Sequence, residues 1–275
     1  MTTVVRVEKP SSLPEYLTLV EELQQNSTDS LWYRGCGQAT FKLLPSLYRH
    51  RDAQIPEKIP DLERRLLTRF RQRSLPYQVR PLTDEWDTLF FMQHYGVPTR
   101  LLDWTENPLI ALHFAVMGAC FELNKDGSHR YSGSSVVWIL NPAAWNAHAL
   151  QHQRYDRGVL TPGDDELLGY KPGPTFVGMN NHPVAIYGAH NSPRIVAQQG
   201  VFVLFGQNTE PMESVYRSES FPENCLVRVE LQRSVIRRVR DSLLRHGITE
   251  SVVFPDLEGL AREIKRSFGF PEGPK

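Results

Sequence analysis

Cysteine is scarce in this chain of 275 residues: Cys36, Cys120 and Cys225 are all it has. None sits at CxxC or other metal-binding spacing, and an odd count does not suit a disulfide framework. It suits a reducing compartment, so a cytoplasmic protein is expected. Long apolar runs are missing as well. No stretch approaches the ~18–20 uninterrupted apolar residues of a membrane span, and residues 1–12 carry charges and Pro10 where a signal peptide needs an apolar core. No membrane partner is expected. Excess charge of either sign is also absent. Lys plus Arg number 31 and so do Asp plus Glu, for a formal net charge of zero, which argues against a general polyanion binder because such affinity comes from neutralised phosphates. HExxH, GxxxxGK[ST], GxSxG and GxGxxG patterns are missing. Neither a metal nor a P-loop nucleotide site is therefore indicated, and without acids at metal-binding spacing a nuclease is disfavoured.

What the chain does contain is a mixture of helical and strand signals. Ser11-Ser12-Leu13-Pro14-Glu15 starts a helix over ~12–25, with Leu13, Leu17, Val20 and Leu23 at helical spacing. Leu31-Trp32-Tyr33 reads as a strand entering a turn at Arg34-Gly35-Cys36-Gly37. Helices are expected over ~60–74, from Asp84 to ~His94, and from Asn107-Pro108 to ~Phe121. Residues 135–140, 200–205 and 226–231 read as strands and ~232–245 and ~256–267 as closing helices, while ~141–190, rich in Pro, Gly, His and Asn, is expected to be irregular. Helices thus dominate the first half and strands the second, which predicts a single α+β domain over 1–275 rather than a doubly wound fold.

Chemistry is expected where polar residues sit at the ends of apolar elements. Arg34 follows Leu31-Trp32-Tyr33, and residues 94–105 pack His94, Arg100, Asp103 and Thr105 between two helices. Each has a plain structural alternative: an Arg34–Asp103 salt bridge, a helix cap by Asp103, a structural pair for Arg100, and a helix-end role for His94. Thr105 is open between capping hydroxyl and ligand contact, and Trp104 is assigned to the core. The helix near 60–74 carries Arg64, Arg65, Arg69, Arg71 and Arg73 opposite its apolar face. That is either a solvated face or a basic docking surface for nucleic acid.

Tyr33-Arg34-Gly35, with the string Gln93 to Pro108 (QHYGVPTRLLDWTENP), resembles the FRG domain, named for its (F/Y)RG motif. Residues 193–202 and the segment from Gly247 to Leu257 add to the likeness. The resemblance implies a bacterial or phage-associated setting. A weaker likeness is to ADP-ribosyltransferases, which have an Arg or His ending one core strand, a Ser/Thr-containing strand running into a helix, and a late strand bearing a catalytic Glu. In that likeness Arg34 is the first element, residues 101–115 the second, and residues 194–202, read as strand, turn and strand, the third. It implies a split β-sheet core with a helical N-terminal half, and NAD as substrate without a metal. The implied protein is an NAD-using transferase or glycohydrolase, a toxin-like effector in phage defence. Arg34 would hold the diphosphate or the nicotinamide ribose, Thr105 would bond the ribose or the amide, and Asp103 would supply the carboxylate. His94, Arg100, Arg194 and Gln198 would be further pocket residues. Between Asn191 and Gly206 there is no Asp or Glu, so the family's late Glu has no counterpart there. The alternative is a non-catalytic nucleotide- or nucleic-acid-binding module.

Overall fold

The computed structural model describes residues 3–78, 81–82, 84–124, 129–173, 175–176, 178–189 and 192–270. Strand β1 (Arg6–Glu8) precedes helix α1 (Leu13–Gln25), which Ser12 caps by accepting from the Glu15 amide. β2 (Trp32–Cys36) follows, then a run of 3₁₀ turns and helix α2 (Ile59–Ser74). α3 (Glu85–His94) is capped by Asp84, whose carboxylate accepts from Asp87 N–H. β3 (Leu101–Thr105) leads into α4 (Pro108–Met117), where Asn107 accepts from the Leu109 and Ile110 amides.

A small hairpin, β4 (Phe121–Leu123) and β5 (His129–Tyr131), precedes β6 (Ser135–Leu140) and α5 (Pro142–Ala149). Then come β7 (Val184–Ile186), α6 (Pro193–Gln198), β8 (Gly200–Leu204), α7 (Met212–Ser218) and β9 (Leu226–Leu231). Helices α8 (Arg233–Arg245), α9 (Glu250–Val253) and α10 (Leu257–Ser267) close the chain.

Seven strands form one mixed sheet in the order β1-β9-β6-β2-β3-β8-β7. β1 runs parallel to β9 and the other pairs are antiparallel. This is an α+β architecture. Helices and strands are not segregated by half, however: β2 and β3, at the centre of the sheet, lie in the half expected to be helical. They interleave there because β6, β8 and β9 from later in the chain pair around them. Residues 141–190, expected to be irregular, contribute α5, β7 and two 3₁₀ turns.

Side chains alternate across the central strands and build two cores. Trp32, Cys36, Val136, Trp138 and Leu140 belong to one core, with Trp86, Phe90 and Trp145. Tyr33, Val137, Ile139, Val227 and Val229 face the other, against α1, α4 and α8. α4 is mostly buried, and it reaches the sheet because Gly35 and Gly37 lack side chains. A Cβ on Gly35 would sit 1.8 Å from the Ala111 carbonyl oxygen, and one on Gly37 1.9 Å from that of Gly118. The expected turn at 34–37 is therefore continued strand through Cys36, and its glycines serve close backbone packing.

Candidate functional site

The pairing of β2 with β3 is short. Their ladder holds one register pair, Tyr33 with Thr105, whereas β2 pairs with β6 and β3 with β8 over five residues each. Beyond that pair the strands part, and a cleft of about 270 Å³ opens between them. Its polar lining includes Arg34, Gln93, His94, Asp103, Arg194 and Gln198. Its apolar walls include Tyr33, Trp104, Phe114 and Phe202. A shallower hollow of about 560 Å³ shares Arg34, Gln93, His94, Asp103 and Arg194 with it and extends outward to Ser46 and Arg49.

Arg34 and Asp103 therefore meet in one polar cleft, but not as an ion pair. The Arg34 guanidinium donates through Nη1 to the backbone carbonyl of Asp103, bridging the gap where ladder bonds stop. Its Nε–H is buried without a hydrogen-bond partner, and so is Trp104 Nε1 in the cleft wall. The Asp103 carboxylate is exposed and accepts from Gln93 Nε2 at 2.9 Å on each oxygen. Gln93 is in turn oriented by Thr99, whose hydroxyl donates to Gln93 Oε1 and accepts from the Leu101 amide. Asp103 caps no helix; Asn107 does that for α4.

His94 ends α3 as expected, and its Nδ1 lies 3.4 Å from Ser192 Oγ. Burial, and then the nearby Arg194 charge, pull its pKa below the ordinary histidine value, which favours neutral imidazole. Arg194 lies on α6 with its guanidinium 4.8 Å from the Phe254 ring centroid, and Gln198 Nε2 donates to Val253 O. The segment 193–198 is thus a helix rather than the expected strand and turn. Ser192 caps it, and Gln199 at φ 46° ends it. The Ser-Pro start outweighs the β-branched Ile195-Val196 pair.

Two assignments change. Arg100 is not in the cleft. Its side chain is fully buried, with Nε 2.7 Å from Glu63 Oε1 and its Nη atoms donating to Tyr170 O at 2.7 Å and Phe205 O at 2.8 Å. It ties α2 and the 170 and 205 segments to β3, and no donor faces a ligand. Thr105 lines the cleft, yet its one hydroxyl proton goes to Gln198 O at 2.6 Å, and its oxygen accepts from Asn107 N–H at 3.0 Å. The hydroxyl joins β3 to α6 and α4.

Arg49 and Gln93 are site residues that sequence reasoning passed over. Arg49 ends a 3₁₀ turn docked on the Thr99 carbonyl, and it donates to Leu44 O through Nε and Nη2. Burial, then the neighbouring Arg34 charge, lower its pKa. Tyr33, pushed up to about 12 by burial, keeps its phenol proton at neutral pH. On α2, Arg64 and Arg65 pair with Asp61, and Arg71 Nε donates to Thr88 Oγ1. The expected basic face is partly neutralised. Among the described residues no group of three or more His, Cys, Asp or Glu could hold a metal ion, and no helix is long and apolar enough to cross a membrane.

The family model of the FRG domain matches residues 29–122. Residues 29–122 therefore carry the FRG pattern. The match takes in β2, α2, α3, β3 and α4, and with them Arg34, Arg49, Gln93, His94, Asp103 and Thr105; Arg194 and Gln198 are brought to the FRG cleft by α6, from outside it. No curated protein and no solved structure matches the chain.

Proposed function

We propose that the cleft between β2 and β3 binds a diphosphate-bearing nucleotide, with NAD as the substrate, and that Asp103 serves cleavage of its nicotinamide–ribose bond. The observation that carries this reading is the lining itself. Three guanidiniums, Arg34, Arg49 and Arg194, surround one carboxylate beside the aromatic walls of Tyr33, Trp104, Phe114 and Phe202. Planar guanidinium forks match phosphate oxygens bidentately, and aromatic faces accept a base or a nicotinamide ring.

In the proposed reaction the glycosidic C–N bond breaks and nicotinamide leaves with the bonding electrons. The Asp103 carboxylate faces the resulting oxocarbenium centre. An acceptor hydroxyl or water then forms the new bond to C1′ and loses its proton to solvent. Gln93 holds the carboxylate in place. This is an ADP-ribosyltransferase-like role for an effector in phage defence. A non-catalytic nucleotide-binding module is the second reading, favoured by the Thr105 hydroxyl, whose proton is already committed to Gln198 O.

Calorimetry with NAD and ADP-ribose tests the binding step. Arg34→Ala should weaken affinity by roughly 10- to 150-fold, the equivalent of a charged hydrogen bond worth about 1.5–3 kcal/mol. Asp103→Asn should keep affinity within a few fold and cut nicotinamide release by at least about a hundredfold. Binding by the wild type with no release would select the non-catalytic module. No binding of either compound would reject the nucleotide reading altogether.

A further inference from the structure

Helix α10 is amphipathic but sits inside out. Gly259, Glu263 and Arg266 turn inward. A Cβ on Gly259 would lie 2.0 Å from Phe254 O, Glu263 Oε2 accepts from the Ser251 amide at 3.1 Å, and Arg266 grips the buried Glu250 carboxylate at 2.8–3.0 Å. The apolar stripe turns outward: Leu257, Leu260, Ile264 and Phe268, spaced by three, four and four, are 84%, 44%, 49% and 77% exposed. A surface helix ordinarily buries such a stripe, and a contiguous exposed one marks an interaction surface.

We propose that this stripe is a self-association surface on which α10 of a second copy of the chain packs antiparallel. The charge order along the helix argues for that occupant. Glu258, which also pairs with Arg262 on its own helix, flanks the stripe at its start, and Lys265 flanks it at its end. Two copies related by a twofold axis bring each acidic end against the other's basic end, so the surface is complementary to itself, as an isologous interface requires. Glu258 comes to the region of the second copy's Lys265, and the two helix dipoles run in opposition. Parallel packing would set like charges together. A three-turn helix alone covers less than the ~800 Å² per partner of a standard stable interface. The association is therefore weak and concentration-dependent.

The helix is also joined to the cleft. Phe254 is held between Arg262, 5.3 Å from its ring centroid, and the cleft residue Arg194, 4.8 Å away.

Sedimentation equilibrium of the full chain, from low micromolar to several hundred micromolar, tests the proposal. The wild type should shift from monomer towards dimer mass. Leu260→Glu/Ile264→Lys should remain monomeric, with its circular dichroism unchanged because the replaced side chains face solvent. Glu258→Lys and Lys265→Glu should each weaken dimerisation by at least about tenfold, and the double reversal should restore it. A wild type that stays monomeric throughout would overturn the proposal and leave the stripe to a different protein. Assembly beyond a dimer, or a double reversal that fails to restore pairing, would overturn the antiparallel arrangement.

Discussion

Replacing Arg100 by methionine should destabilise the protein far more than it alters any ligand affinity. The arginine sits in a dry site whose two charged side chains are 0% and 4% exposed, and it satisfies the Glu63 carboxylate and the carbonyls of Tyr170 and Phe205 together. Methionine fills the volume but leaves a buried carboxylate alone. Breaking such a pair from one side costs about 3–5 kcal/mol. The two orphaned carbonyls raise the total towards the upper end, since each unsatisfied buried acceptor costs roughly 1–3 kcal/mol and the terms do not simply add. A loss of about 4 kcal/mol corresponds to a drop in melting temperature on the order of 8–16 °C for a chain of this size. Urea titration should show the midpoint falling at constant slope. Adding Glu63→Met should recover the carboxylate's share and leave the carbonyls' share lost, because removing both members of a buried pair is often near neutral. If Arg100→Met lost less than about 1 kcal/mol, or if the double variant were no more stable than the single one, the residue would not be the internal tie described above.

His94 makes stability pH-dependent: its folded pKa lies below the unfolded value of 6.5. The unfolded chain therefore takes up the proton first, stability falls as pH drops through the unfolded pKa, and the decline ends below the folded one. Melting curves from pH 8 to 5 should show a shallower acid loss in His94→Gln; an unchanged profile would clear His94 of this role. Gly35→Ala should prevent α4 from seating, since the new Cβ would meet the Ala111 carbonyl at 1.8 Å. Loss of cooperative unfolding is the expected readout, and a variant that melts like the wild type would contradict the close packing.

Local signals were the legible ones. Ser12, Asp84 and Asn107 cap the helices they were expected to start, because a cap is written within three residues of the helix it begins. Short apolar runs likewise marked β6, β8 and β9. Features that depend on distant partners were not legible. Gly35 looked like a turn because its reason for being glycine lies in Ala111. Arg100 looked like a site residue because Glu63 and the two carbonyls that claim it are far away in sequence. Arg49 escaped notice because it enters the cleft rim through a docked 3₁₀ turn that has no periodicity. That Arg34 and Asp103 share a cleft could be anticipated from their places beside apolar strands. That the arginine takes the aspartate's backbone oxygen, leaving the carboxylate to Gln93, could not.

The Arg34 bridge to the Asp103 carbonyl turns the cleft into a two-party competition. β2 and β3 are held by one register pair and this one side-chain strut across their divergence. An anion that takes the same guanidinium protons must release the carbonyl, so occupancy and strand separation become linked equilibria. Its measured affinity is then the intrinsic one reduced by the free energy of undocking the strut. Any change that loosens the strut without touching the guanidinium would tighten binding while it weakens the sheet.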